Sequence, residues 1–209
     1  MLNPEIKDLE SSIFHPTYFS SIYQFIKLRQ AKQIVYEVND SYQKQTYRNR
    51  CYVLGANGKQ LLNVPIQKVS GKQQTKDIKI DYNENWQQQH LKSLFSAYRS
   101  SPFFEFYIDD LETIFLKKET YLLDLNLKTL EIISDLLPLN LKYATTKEYE
   151  KEVVNDYRHL VNAKNKKSLN LSKYRQVFSD KYDFIENLSV LDLLFNEGPN
   201  ALLYIEKSI

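Results

Sequence analysis

The sequence predicts an α/β protein, with one sheet that begins with a βαβ-like unit and carries a β-hairpin, packed against several helices. Three observations carry that expectation. Residues 12–38 run through a short apolar stretch, a capped helical stripe and a β-branched stretch; an Asn-Gly pair separates two strand-like runs; and apolar residues recur at helical spacing through residues 84–137.

The opening unit is Ser12-Ile13-Phe14, the interruption His15-Pro16-Thr17, and a helix capped by Ser20 or Ser21 whose apolar positions are Ile22, Phe25, Ile26 and Leu28. Gln33 to Val38 then reads as a strand. Such a unit places its functional loop at the carboxyl end of the first strand, where His15 and Pro16 lie. Arg50–Leu54 and Gln60–Val64 flank Gly55-Ala56-Asn57-Gly58, a hairpin signal because Asn-Gly tolerates the positive φ of tight turns. Asp77 to Asp81 alternates as a half-buried strand. The expectation is therefore strands near 11–15, 33–38, 49–54, 60–66 and 77–81 in one sheet.

Helices are expected near 21–32, 84–99, 103–117 and 119–137; Pro102 restarts the chain and Pro138 stops it. From Tyr143 to Arg175 the chain turns polar, and Ala163 to Arg175 holds five basic residues and no acidic one. The reading is a main α/β domain over 1–142, a polar connector over 143–175, and a C-terminal helical segment over 176–209 that docks on the main domain. In that segment Leu188 to Phe195 is amphipathic, and Asn196-Glu197-Gly198-Pro199 is a helix stop or a functional loop.

Composition excludes whole classes of function. The chain of 209 residues has only 4 glycines and 6 prolines, too few for a phosphate-cradling glycine loop or a low-complexity architecture. Net charge is +2, from 28 Lys and Arg against 26 Asp and Glu, which supplies no broad field for nucleic acid. No apolar run approaches the roughly 20 residues of a membrane span, and Met1 to Asp8 shows no basic stretch followed by an apolar one, so a cytoplasmic protein is expected. With Cys51 the single cysteine and His15, His90 and His159 far apart, neither a disulfide nor a metal site is expected, and no cofactor motif is present.

The candidate chemistry is therefore local. His90, at the margin of an apolar helix face, and His15, at the first strand end, are the acid–base candidates; Cys51 reads as a buried small hydrophobe. Tyr18 and Tyr47 offer flat surfaces and hydroxyls for a sugar, or else pack in the core. If the strand extends through residue 52, Arg48, Arg50 and Tyr52 share one face, and the two guanidinium forks suit a phosphate or carboxylate, with Lys44 nearby. The competing reading leaves those arginines solvated or pairs them with an acidic neighbour such as Glu37 or Asp40. Asn49, between them, and Asn196 and Glu197 complete the substrate-binding candidates.

The succession His15-Pro16-Thr17-Tyr18-Phe19, Lys44-Gln45-Thr46-Tyr47-Arg48-Asn49-Arg50, Asn63-Val64-Pro65, Trp86 with His90-Leu91, Tyr98-Arg99, Ser101-Pro102-Phe103-Phe104 and Leu188 to Pro199 resembles the WbqC-like family, in the form common in Bacteroidetes. The resemblance covers nearly the whole chain. Many relatives carry Gln-Pro where this chain has His15-Pro16. The family's founding members occur in O-antigen gene clusters, so the resemblance implies work on activated sugars or on acyl or aminoacyl groups attached to them. The expected function is group transfer, acyl or aminoacyl, in surface polysaccharide assembly, on a small-molecule substrate such as a nucleotide-sugar or acyl donor. The alternative is a non-catalytic protein that binds a nucleotide-linked sugar or a partner enzyme.

Overall fold

A computed structural model describes residues 10–164 and 169–208. Strand β1 (Ser11–Phe14), helix α1 (Ile22–Gln30) and strand β2 (Gln33–Tyr36) form the opening βαβ unit, with β1 and β2 parallel and Ser11 paired to Gln33. Ser21 is the cap, its hydroxyl accepting from the Gln24 amide. All four residues of β1 are buried, as befits a strand covered on both faces.

The hairpin, β3 (Arg50–Gly55) and β4 (Gly58–Asn63), turns through Ala56-Asn57 with Gly58 at φ 94°. It forms a two-stranded sheet of its own. The expected single sheet is corrected a second time at residues 77–81. There a 3-10 turn at Thr75–Asp77 is followed only by isolated bridges, Ile66 to Ile80 and Lys79 to Tyr121. Ile78 and Ile80 are buried and Lys79 exposed, so the alternation reported burial without a hydrogen-bonded ladder.

Helices α2 (Trp86–Tyr98), α3 (Phe104–Leu116) and α4 (Leu122–Leu136) follow the predicted stripes, burying Leu94, Leu111, Leu125 and Ile133. The polar segment read as a connector supplies two short strands, β5 (Tyr143–Thr145) and β6 (Asn155–Asp156). Both pair parallel to the opening unit and complete a sheet of order β5-β2-β1-β6. Helix α5 (Val190–Glu197) is buried through Asn196, and a helix not foreseen, α6 (Asn200–Lys207), closes the chain. Residues 188–190 fasten this end inside the fold. The Ile22 amide donates to the Leu188 carbonyl, the Ser189 amide to Tyr52 and the Val190 amide to Ser20. Among the described residues no helix is long and apolar enough to cross a membrane.

Candidate functional site

The sheet order determines where a ligand can sit. From β1 the chain steps to β2 and on to β5, then returns to the other side of β1 as β6, so the strand order reverses between β1 and β6. Crevices at such reversals, outside the carboxyl ends of parallel strands, are the usual ligand sites of α/β sheets. Here His15 follows β1, Asn39 and Asp40 follow β2, and Asp156 ends β6, with Arg158 two residues on. With Arg48 they line a cleft of about 710 Å³.

Arg48 reaches this cleft from the turn before β3 and is only 1% exposed. Its Nη2 donates to Asp40 Oδ2 at 2.6 Å and to His15 Nε2 at 2.9 Å, while Thr75 Oγ1 donates to Asp40 Oδ1 at 2.6 Å. A guanidinium only donates, so His15 Nε2 must accept, which leaves the proton on Nδ1, donated to the Glu37 carbonyl at 3.3 Å. Burial, and then the charge of Arg48, push the His15 pKa down to about 3. His15 is a neutral imidazole with both nitrogens engaged.

Behind the triad Glu37 is fully buried. Its Oε1 accepts from the Asn39 amide at 2.7 Å and from Thr146 Oγ1 at 2.9 Å, and Oε2 lies 3.9 Å from Arg158 Nη1. Burial pushes its pKa up, and those hydrogen bonds oppose the shift. Arg158 in turn forks onto Asp156, Nε to Oδ1 at 2.9 Å and Nη2 to Oδ2 at 2.7 Å. Burial would raise the Asp156 pKa, but the bonds from Arg158 outweigh it and hold the carboxyl below its ordinary value. The buried charges of the cleft are therefore matched in pairs, with Lys151 an exposed cation at its edge. The paired groups offer fixed acceptors and donors for hydroxyl groups.

His159 stands where this cleft meets a second one of about 660 Å³, walled in part by Tyr23, Tyr47, Tyr52 and Lys59. Its Nδ1 donates to the Asp156 carbonyl at 3.2 Å, so in the neutral imidazole the lone pair is on Nε2.

The sequence-predicted residues divide. His15 and Arg48 come together in the cleft, and Tyr47 lines its neighbour. Arg48 and Arg50 do not share a strand face as expected, because β3 starts at Arg50 and Arg48 occupies the preceding turn. Arg48 is ion-paired with Asp40, the competing reading, although the charges of both arginines still act on the Tyr42 phenol. Lys44 is exposed on the loop before them and lines neither cleft. Asn49 is spent on the chain, donating to Asn63 Oδ1 and the Val64 carbonyl.

Tyr18 and His90 form a buried pair elsewhere in the core. The Tyr18 hydroxyl meets His90 Nδ1 at 3.1 Å, and His90 Nε2 donates to the Asn63 carbonyl at 3.1 Å, so the donated proton sits on Nε2. Burial pushes the His90 pKa down to about 4. Asn196 donates to the Asp192 carbonyl at the end of α5, beside Glu197 and apart from both clefts. Cys51 is buried and its thiol pushed up, as suits a small hydrophobe. Among the described residues no group of three His, Cys, Asp or Glu is arranged to hold a metal.

Sequence reasoning missed Asp156, Arg158 and His159. They lie in a polar stretch with no apolar period, and only the pairing of β6 with β1, secured by the Tyr157 amide donating to Ile13, carries them to the site. One signal was readable, an Asp-x-Arg-His run within a stretch otherwise free of histidine.

A search of the curated proteins finds no match to this chain, and a search of the solved structures likewise finds none. A family model, the WbqC-like protein family, matches residues 15–167. That span begins at His15 and takes in the turn of Arg48 and the Asp156–His159 run, so both walls of the cleft fall within it. By that match the chain belongs to the WbqC-like protein family.

Proposed function

We propose that the chain is a group-transfer enzyme that acts on an activated sugar, moving an acyl or aminoacyl group in the assembly of a surface polysaccharide. The observation that carries this reading is the cleft at the strand-order reversal, lined by charge pairs that are matched before any ligand arrives. A polyhydroxylated ring is recognised by such groups, since a carboxylate accepts from adjacent hydroxyls and a guanidinium donates to them without a net charge to be neutralised. The genetic setting implied by the family resemblance agrees with a sugar substrate.

The competing reading, a non-catalytic binding protein, is favoured by one observation. His15 and His90 both have their two ring nitrogens engaged, so neither has a lone pair ready to accept a proton. His159 Nε2 is the imidazole lone pair left for that task at the cleft.

Calorimetric titration of a panel of nucleotide-sugars and acyl or aminoacyl donors, followed by mass spectrometry of donor–acceptor mixtures, separates the readings. The enzyme reading expects saturable binding that Arg158→Ala weakens by about tenfold, and a transferred product. Binding without product under every donor supports a protein that binds a nucleotide-linked sugar, and no binding to any member removes that reading and the enzyme together, leaving a protein that binds a partner enzyme.

A further inference from the structure

The second cleft is not used by the sugar reading, and its walls have their own chemistry. Tyr47 and Tyr52 meet edge to face, ring centroids 6.0 Å apart at 87°, and Tyr23 stands on the same cleft. Lys59 Nζ rests 4.4 Å from the centre of the Tyr52 ring, and among the described residues it has no carboxylate in salt-bridge reach. Glu186, the carboxylate on the same cleft, accepts from the Leu169 and Leu171 amides. A cation held on an aromatic face without an ion-pair partner, beside further phenol rings, is thus suited to a ligand that is flat and negatively charged. His159 and Asn162 line both clefts, which makes the two spaces neighbours across one short segment. That segment is fixed, since the Tyr47 amide donates to the Val161 carbonyl and the Asn162 amide to His159.

We propose that the tyrosine-lined cleft of Tyr23, Tyr47, Tyr52 and Lys59 binds the nucleoside phosphate part of a nucleotide-linked ligand, with the base against the phenol rings and the phosphate at Lys59. The proposal deepens the sugar reading, on which it rests for the occupant of the neighbouring cleft. Volume agrees, because each cleft, at about 660 and 710 Å³, is the size of an ordinary small-molecule site and neither need hold the whole ligand. Charge agrees as well. Among the described residues, the strand-end cleft has both its arginines paired and only the exposed Lys151 unpaired, whereas Lys59 is held in place on the Tyr52 ring. The anionic part of a ligand whose base lies on the phenol rings therefore belongs beside Lys59.

The test titrates four nucleoside diphosphates, the parent nucleosides and inorganic pyrophosphate into the full chain, following tyrosine fluorescence and heat. The expected result is that at least one nucleoside diphosphate binds about tenfold or more tightly than its nucleoside and than pyrophosphate. Tyr52→Leu, which removes the ring but keeps apolar bulk, and Lys59→Ala should each weaken that binding by about tenfold, with Lys59→Arg restoring it and the melting temperature of all three unchanged. Failure of all four diphosphates to bind, or binding indifferent to Tyr52→Leu and Lys59→Ala, overturns the proposal. The sugar reading fails separately. If the matching nucleotide-sugars bind no tighter than the diphosphate and Arg158→Ala changes neither, the strand-end cleft is not a sugar site while the nucleotide site stands. Aromatic carboxylates form a control arm, and their binding in place of the diphosphates also overturns it.

Discussion

Burying Arg48 to 1% exposure leaves a guanidinium that only its partners make tolerable. Asp40 takes the charge and His15 takes a second N–H, so Asp40→Asn should strand a buried cation and cost about 3–5 kcal/mol in chemical unfolding. Replacing the pair together, Asp40→Asn with Arg48→Met, should cost less than the sum of the single changes. Additive losses would mean the two groups act independently.

The buried histidines make a second residue-scale expectation. Each is neutral in the fold and free to protonate in the unfolded chain, so its contribution is full above the ordinary pKa of 6.5 and is lost as pH falls toward about 4 for His90 and about 3 for His15. Glu37 and Asp192 act in the opposite sense. Burial raises their pKa values, so their folded forms take up a proton first and gain stability as pH falls. Comparing the wild type with His90→Gln isolates one histidine. From pH 7 to pH 5 the wild type should lose about 2 kcal/mol more than the variant in urea unfolding, and parallel curves would contradict the buried neutral imidazole.

At the scale of elements, α5 is buried from Val190 through Asn196. Leu191, Leu193, Leu194 and Phe195 are fully buried, and Asp192 accepts from Tyr98, Tyr174 and Gln176. Deleting residues 186–209 should abolish the cooperative thermal transition, because the exposed faces of α1 and β3 would have no cover. Gly198, just past this helix, has φ 53°, and a Cβ there would fall against the Phe103 ring. Gly198→Ala should lower stability by about 2 kcal/mol or more through strain and overpacking, and an unchanged melt would show that α5 ends differently.

The elements that were legible in sequence are those with a repeated signal. Helices α2 to α4 show apolar residues on one face, and the hairpin has its Asn-Gly turn. Strands β5 and β6 show neither, since Tyr143-Ala144-Thr145 and Asn155-Asp156 are too short for a period and are chosen by the edges of β2 and β1. Arg48 shows the opposite failure. Alternation along a strand assigned its face, but the strand begins two residues later, so its direction was determined by Asp40 and His15 instead.

For the whole molecule, function follows from chain order. A sheet that runs β5-β2-β1-β6 must bring the end of the first strand, near His15, beside a segment more than a hundred residues on, and that meeting makes the cleft. One wall was visible in sequence because His15 and Arg48 stand in recognisable motifs. The other, Asp156 to His159, was hidden because polarity alone reads as solvent exposure. His159→Gln should leave the melting temperature within about 1 °C of wild type, the side chain being exposed, while abolishing any transfer the cleft supports.

The account turns on this cleft holding an activated sugar, and the most direct measurement is amide shift mapping while the tightest-binding nucleotide-sugar is titrated into the labelled protein. The account predicts saturable shifts concentrated at His15 to Thr17, Asn39 to Gln43 and Asp156 to Asn162. Saturable shifts confined to α3 and α6, with these three segments unmoved, would contradict it.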